Sequence, residues 1–228
     1  MRILVFQHLS VEHPGTFRDF WRARGCEWHA VELDEGAAIP ELEPFDLLVV
    51  MGGPQDVWQE DIYPWFVAEK AAIRRWVCDL GRPYLGICLG HQLLAEALGG
   101  RVGPMSRPEV GLADVELTPE GRSDPLFSGF DEIMQTFQWH GAEIVELPAD
   151  TVVLARNAAC AVQAIRWGQH AYGLQYHVEI TPATVTEWEA DPAYKASLEQ
   201  ALGPTEAACL NDIVKPRLSA FRSTAQRI

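Results

Sequence analysis

Basic side chains are scarce in this sequence. Its 228 residues include 18 Lys and Arg against 32 Asp and Glu, which gives a formal net charge of −14 at pH 7. Such a surplus of negative charge repels phosphate backbones and anionic lipid heads, so nucleic acid and membrane surfaces are poor candidates for partners. The chain also lacks the apolar run of about 18 residues that a membrane helix needs, and it opens without a signal-peptide pattern. We therefore expect a cytoplasmic protein.

Cysteines at metal-ligand spacing are missing as well. The five cysteines are Cys26, Cys78, Cys88, Cys160 and Cys209. No two of them have C-x-x-C spacing, and an odd number cannot all pair within one chain. The sequence therefore predicts neither a disulfide scaffold nor a cysteine zinc cluster, and we expect no metal and no cofactor.

Strand-like and helix-like segments alternate over the first hundred residues. The predicted strands are 2–6, 28–33, 46–51 and 84–87, and the predicted helices are 14–24, 65–80 and 89–98. Continuous apolar runs such as D-L-L-V-V-M fit strands that are covered on both faces, as in parallel sheets. The pattern predicts an α/β fold with a doubly wound, mostly parallel, flavodoxin-like sheet.

The second half of the chain has a different pattern of apolar and polar residues. Short alternating runs predict an added antiparallel β region, with strands at 113–117, 133–139, 151–155, 161–167 and 171–176. Helical spacing returns in a C-terminal extension, about 182–228, which could cover the sheet edge or form a homodimer contact. Because no linker or internal repeat interrupts the chain, we expect a single domain over 1–228 with a core of about 1–181.

Cys88 lies where a short buried strand should turn sharply into a helix. With Gly86 and Gly90 it forms the pattern G-x-C-x-G, a nucleophile elbow in which cysteine takes the place of the hydrolase serine. The glycines leave room for the tight turn, and the free N–H groups of the helix that follows favour a thiolate and a nearby oxyanion. A buried structural cysteine is the alternative for so short a pattern.

A cysteine nucleophile needs a base, and the base needs a group that orients it. Among the seven histidines, His177 ends an apolar run and should lie at the carboxyl end of a strand. If that strand continues through Val178, its period of two places Glu179 on the same face, where the carboxylate could hold the second ring nitrogen. Otherwise the pair is a strand-end histidine beside a solvated glutamate.

A glycine loop, Gly52-Gly53-Pro54, follows the buried strand 46–51 and so lies at the same kind of strand edge. A backbone N–H of this loop, together with that of Leu89, could stabilise the oxyanion of a tetrahedral intermediate. A plain turn at the end of a strand is the alternative.

These segments resemble the signatures of a known family. Residues 86–92, G-I-C-L-G-H-Q, are similar to the nucleophile signature of class I (triad-type) glutamine amidotransferases. Residues 175–179, Q-Y-H-V-E, are similar to their H-P-E segment, and residues 52–54 to their oxyanion loop. Within the family the likeness is strongest to the glutaminase domain of GMP synthases, and it extends in the right order from about 47 to 181.

The resemblance implies a role for each candidate residue. Cys88 would attack the γ-carboxamide of glutamine, with His177 as base and Glu179 orienting it, and the resulting γ-glutamyl thioester would be hydrolysed. The N–H groups of Gly53 and Leu89 would form the oxyanion hole. The residues implied to hold the substrate are Gln92, Trp139 and Gly141.

Two departures from the family pattern leave the substrate open. Val178 stands where the H-P-E segment has proline, and residues 139–143, W-H-G-A-E, stand where synthases have S-H-G-D. Since no synthetase-like unit follows, we expect either docking with a separate synthase subunit or independent action.

Three functions therefore remain. The first is glutamine hydrolysis that releases ammonia to an unidentified acceptor or partner. The second is a stand-alone γ-glutamyl peptidase or hydrolase acting on a γ-glutamyl amine or peptide. The third, a non-catalytic binding module of the same fold, is disfavoured by the intact cysteine, histidine and glutamate set.

Overall fold

A mixed nine-stranded sheet organises the computed structural model, which describes residues 1–228. The strands are β1 (Arg2–Gln7), β2 (Glu27–Glu32), β3 (Leu47–Val50), β4 (Tyr84–Ile87), β5 (Arg101–Leu117), β6 (Ile133–Glu146), β7 (Thr151–Arg156), β8 (Ala164–Trp167) and β9 (Ala171–Leu174). Their order across the sheet is β2-β1-β3-β4-β9-β8-β7-β5-β6. Strands β2, β1, β3, β4 and β9 are paired in parallel, and the remaining pairs are antiparallel. The predicted fold class is confirmed.

Eight α-helices accompany the sheet. They are α1 (Phe17–Ala23), α2 (Trp65–Arg74), α3 (Leu89–Ala97), α4 (Pro119–Ser123), α5 (Thr184–Glu189), α6 (Pro192–Ala207, interrupted at Gly203), α7 (Leu210–Val214) and α8 (Leu218–Arg227). A π-helical turn at Arg75–Asp79 continues α2, and 3₁₀ turns lie at Pro125–Phe127 and Lys215–Arg217. None of these helices is both long enough and apolar enough to cross a bilayer.

The inner strands of the parallel half, β1, β3, β4 and β9, are buried on both faces, which explains their continuous apolar runs. In β1, Leu4 and Phe6 pack with side chains of α2 and α3, whereas Ile3 and Val5 pack on the opposite face with α1 and α8. Since successive side chains of a strand point to opposite faces, each face of β1 contributes to a separate part of the core.

Several predicted boundaries were wrong. Strands β5 and β6 extend far beyond the predicted 113–117 and 133–139, because their outer parts form a bulged, partly exposed hairpin with register shifts near Pro104. Apolar side chains are exposed on this hairpin at Ile133 and Val145, so the alternation in sequence is weaker than the alternation in burial. The helix predicted over 14–24 begins only at Phe17, since Gly15 has a positive φ of 48°.

The carboxyl ends of four neighbouring parallel strands meet at one edge of the sheet. His8 follows β1 directly, the glycine loop at Gly52 follows β3, Cys88 follows β4, and His177 lies three residues beyond β9. Ligands of open α/β sheets bind outside this edge, so the topology itself brings the chemically interesting side chains together. Helices α5 and α6 pack beside it, where Trp188 and Tyr194 are buried against Phe137 and Trp139 of β6.

Candidate active site

Cys88 occupies a strained turn between β4 and α3. Its φ of 51° and ψ of −102° lie in a region that residues with a Cβ atom rarely adopt. The turn is held because Cys88 N donates to Leu174 O at 2.8 Å. The flanking glycines are required by space, since a Cβ on Gly86 would lie 2.8 Å from His91 N and one on Gly90 would overlap the Val50 carbonyl group. The geometry is that of a nucleophile elbow.

Cys88 is 6% exposed and faces a pocket. Its Sγ accepts a hydrogen bond from Gln175 Nε2 at 3.6 Å and lies 3.8 Å from the backbone oxygen of Trp139. Helix α3 begins at the next residue, so the free N–H groups of its first turn lie beside the sulfur.

His177 and Glu179 form a buried pair beside this thiol. His177 Nδ1 lies 2.7 Å from Glu179 Oε1, with side-chain exposures of 1% and 2%. Burial lowers the pKa of His177, but the charge of Glu179 and hydrogen bonds with Cys88 and Glu179 outweigh it and raise the pKa well above its usual value. With Nδ1 held by the carboxylate, Nε2 is left for the thiol, as a base for a cysteine nucleophile requires.

The pair forms without the continuous strand that its spacing had suggested. Strand β9 ends at Leu174, and His177 is instead bridged to β6, with His177 N donating to Phe137 O at 2.8 Å. Glu179 is fixed separately, because its Oε2 accepts from Val178 N at 2.9 Å and its backbone oxygen accepts from Thr16 N at 2.7 Å. The backbone hydrogen bonds of His177 to Phe137 and of Glu179 to Thr16 therefore fix the pair in place of a continuous strand.

The glycine loop packs directly against the start of α3. A Cβ on Gly53 would lie 2.9 Å from both Leu89 Cδ2 and His8 Cβ. Gly53 and Leu89 line the same pocket as Cys88, so the structure brings the two predicted oxyanion residues to one wall beside the thiol.

A buried histidine holds this loop from behind. His8 Nδ1 lies 2.9 Å from Gly52 O, and His8 Nε2 lies 2.9 Å from Glu69 Oε1, with His8 and Glu69 fully buried. Burial lowers the pKa of His8, but the charge and hydrogen bond of Glu69 and the hydrogen bond to Gly52 raise it above the usual value. Gly52 O and Glu69 Oε1 are both acceptors, so the protonated form of the ring satisfies both. Sequence reasoning missed this pair, although the place of His8 directly after β1 marks the correct sheet edge.

We expect Glu69→Gln to loosen the glycine loop. The variant keeps a side chain of the same size but removes the charge that keeps His8 protonated, so the glycine loop should be held less firmly. We expect kcat to fall about ten-fold, which corresponds to the free energy of about one pKa unit. The free energy of unfolding should fall by about 3 kcal/mol, because a buried charge loses its partner. Steady-state kinetics and urea unfolding measure both effects. Glu60→Gln is the matched control, since Glu60 pairs with Lys70 at the surface; equal effects of the two variants would contradict this role.

The pocket in front of Cys88 has a volume of about 360 Å³. All three predicted substrate residues line it. Gln92 Nε2 donates to Ala142 O at 3.2 Å and to Gln175 Oε1 at 3.1 Å, and Trp139 Nε1 donates to Ser197 Oγ of α6 at 2.8 Å. A Cβ on Gly141 would meet its nearest neighbour only at 3.8 Å, so the backbone of this residue is open to the pocket.

The far wall of the pocket comes from the C-terminal helices. Tyr194, Ser197 and Gln200 of α6 line it, and no sequence motif marks these residues as part of a site. Asp56 is the only Asp or Glu among the lining residues, and no Lys or Arg is among them. No group of three or more His, Cys, Asp or Glu side chains is arranged to hold a metal ion.

The chain is similar to known proteins in sequence. The family model described as glutamine amidotransferase class-I matches residues 18–191. A glutamine amidotransferase-like protein, YfeJ, from Salmonella typhimurium is 35% identical over 191 residues, which are 81% of this chain and 78% of that protein. One subunit of a glutamine-hydrolysing GMP synthase from Saccharolobus solfataricus is 34% identical over 143 residues, 62% of this chain and 71% of the relative.

The similarity extends to the fold. The crystal structure of a glutamine amidotransferase from Thermotoga maritima matches with a TM-score of 0.88 at 27% identity, and the match covers 100% of this chain and 95% of that one. The family match at 18–191 includes the elbow and the His177–Glu179 pair. The resemblance predicted from the motifs is confirmed.

Proposed function

Because the chain belongs to the class-I glutamine amidotransferase family, we propose that it hydrolyses the γ-amide of glutamine through a thioester on Cys88. The observation that carries the proposal is the strained cysteine, which faces a pocket and lies beside a buried His177–Glu179 pair. Backbone strain and buried charge both lower stability, and proteins keep such destabilising features chiefly at functional sites.

The reaction proceeds in two steps. The sulfur of Cys88 bonds to the γ-carbonyl carbon, and His177, which holds the thiol proton, passes it to the nitrogen as the C–N bond breaks and ammonia leaves. Water then attacks the thioester, with His177 as base, and the C–S bond breaks to give glutamate and the free thiol. Glu179 holds His177 Nδ1, so Nε2 faces the reacting atoms.

Backbone groups and the pocket wall stabilise the oxyanion and bind the substrate. The N–H groups of Gly53 and Leu89 stabilise the oxyanion that forms in each step. Gln92, already fixed by its hydrogen bonds to Ala142 and Gln175, contacts the glutamyl group, while Gly141 offers its backbone and Trp139 closes the side of the pocket.

The released ammonia would pass to an unidentified acceptor or to a separate synthase subunit. Support for a partner comes from the relative in Saccharolobus solfataricus, which is named as one subunit of a GMP synthase. We also propose a cytoplasmic location, which is supported by five cysteines that are all free.

A second candidate function is the hydrolysis of a γ-glutamyl amine or peptide. The pocket volume of about 360 Å³ lies near the lower end of the range of about 300–1,000 Å³ that is typical of ligand pockets, so the choice rests on the charge of the pocket wall. Asp56 supports an amine with a further positive charge, because it is the sole acidic side chain in a wall without Lys or Arg. Burial raises the pKa of Asp56, and a cation beside it would restore the charged form.

A substrate screen distinguishes the candidates. Purified protein should release ammonia or amine from at least one of glutamine, glutathione and a γ-glutamyl diamine, and mass spectrometry should detect a glutamyl adduct on Cys88. Preference for glutamine, with acceleration by an added synthase, supports the first function; a preference of about ten-fold or more in kcat/KM for the diamine conjugate, about 1.4 kcal/mol of transition-state binding, supports the second. If Cys88 is unreactive and no compound is turned over, the remaining function is that of a non-catalytic binding module.

A further inference from the structure

A second buried carboxylate lies beside His177. Glu12, in the loop after β1, is 1% exposed, and neither its sequence context nor the family motifs single it out. Its Oε1 accepts a hydrogen bond from the Tyr194 hydroxyl of α6, whereas its Oε2 has no hydrogen-bond partner. A buried carboxylate oxygen without a partner is costly and rare in native proteins, so its retention calls for a function.

Gly52 shows how closely the carboxylate approaches the base. A Cβ atom built on Gly52 would lie 2.6 Å from Glu12 Oε2 and 3.3 Å from His177 Cε1. The carboxylate oxygen and the Cε1 edge of the ring thus border the same small gap. Because Glu179 holds Nδ1 and Nε2 faces Cys88, Glu12 approaches the ring at the Cε1–H edge between the two nitrogens.

The helices beyond residue 182 fix both partners in this geometry. Trp188 Nε1 donates to Val11 O at 3.2 Å and so anchors the loop that carries Glu12. The Trp188 ring lies edge-on to the His177 ring, with centroids 4.8 Å apart at an angle of 70°. Tyr194 stacks on Trp188, with centroids 5.3 Å apart, so its hydroxyl is held where it meets the carboxylate.

The ionisable groups that act on the Glu12 carboxylate include His177, Tyr194, Glu179 and His8. Burial raises the pKa of Glu12 to about 7; Glu179 adds to the rise, and His177, Tyr194 and His8 oppose it. A carboxyl group with this pKa changes charge close to neutral pH, in the range in which the base has to work.

We propose that Glu12 is a positioning residue of the active site, whose negative charge, held in place by Tyr194, stabilises the imidazolium form of His177 while it carries the thiol proton. This inference rests on the proposed function, because it takes His177 as the base. It also gives the C-terminal helices a direct part in the chemistry through Tyr194.

Glu12→Gln tests the proposal with little change in shape. Without the charge, kcat should fall about ten-fold, equivalent to about one pKa unit of stabilisation of the imidazolium, while KM changes by less than about two-fold. The inflection near pH 7 on the acid side of the kcat profile should disappear, because the group that titrates there is gone. Glu12→Asp keeps the charge and should keep the inflection.

Tyr194→Phe provides a second, independent variant. It keeps the aromatic packing against Trp188 but removes the donor that stabilises the charged carboxylate, so the acid-side inflection should move to higher pH. Glu35→Gln, at an exposed position, is the matched control and should retain the wild-type profile. Circular dichroism checks that each variant is folded.

The possible outcomes test the role of Glu12 separately from the proposed function. If the wild type forms the Cys88 adduct but Glu12→Gln and Tyr194→Phe both retain its pH profile, the role of Glu12 is wrong and the proposed function stands. If Glu12→Gln fails to fold, the Tyr194→Phe profile alone decides, and an unshifted inflection overturns the role. A wild type without adduct or turnover overturns the proposed function, and this inference with it.

Discussion

Cys88→Ala is expected to lose turnover of every γ-glutamyl substrate, by a factor on the order of 10⁴ or more, because no other side chain of the pocket can form the thioester. The glutamyl adduct should be absent from the variant in mass spectrometry of the trapped enzyme. Substrate binding should persist, since the wall formed by Gln92, Trp139 and Gly141 is untouched. Ammonia or amine release, measured against a blank without protein, is the decisive assay.

Cys209→Ala is the matched control, because Cys209 is exposed and outside the pocket. It should retain wild-type turnover, and both variants should unfold at similar temperatures, since alanine at position 88 keeps the Cβ atom and with it the strained φ of 51°. Wild-type rates from Cys88→Ala would remove the mechanism proposed above.

Gly90→Ala should damage both the fold and the site. A Cβ at this position would lie 2.7 Å from the Val50 carbonyl carbon and overlap its oxygen, and neither atom belongs to a flexible side chain. Helix α3 would have to move away from β3, weakening the bond from Gly90 N to Met51 O. We expect the free energy of unfolding to fall by about 3 kcal/mol and kcat to fall about 100-fold, the effect of a displacement of about 1 Å at the nucleophile.

Gly103→Ala is the control for the loss of a glycine. A Cβ there would meet only Val145 side-chain carbons, at 3.4 and 3.6 Å, which is ordinary contact. Urea unfolding of both variants, with kinetics on the folded fraction, gives the comparison. Equal stability of the two would mean that the elbow has more room than the structure shows.

The parallel half of the sheet could be predicted from sequence because its signals are local. An unbroken apolar strand, a glycine stop and a helical period each lie within a few neighbouring residues, as in 46–54. The long hairpin of β5 and β6 could not be bounded in this way, since its pairing depends on a bulge near Pro104 and on partners that are distant along the chain. Exposed apolar residues such as Ile133 and Val145 also obscure the alternation that marks a strand in sequence.

In the candidate site too, the residues with local sequence signals could be predicted and those without such signals could not. Cys88, His177 and Glu179 are detectable from sequence, because each belongs to a short motif and the last two are separated by a single residue. His8 and Glu69 are not, since their contact joins a strand end to a helix face 61 residues later. Glu12 and Tyr194 are 182 residues apart, and only the folded chain shows that they meet.

The contacts of Trp188 with Val11 and of Tyr194 with Glu12 join the two ends of the chain, across 177 and 182 residues. Chains are synthesised from the N-terminus, and contacts between distant residues form late. The elbow can therefore assemble while the helices that wall the pocket are still being made. The elbow itself needs Leu174, whose backbone oxygen accepts from Cys88 N, so the thiol and His177, three residues further on, are positioned at the same stage. The pocket is complete only when the last part of the polypeptide folds back onto the first.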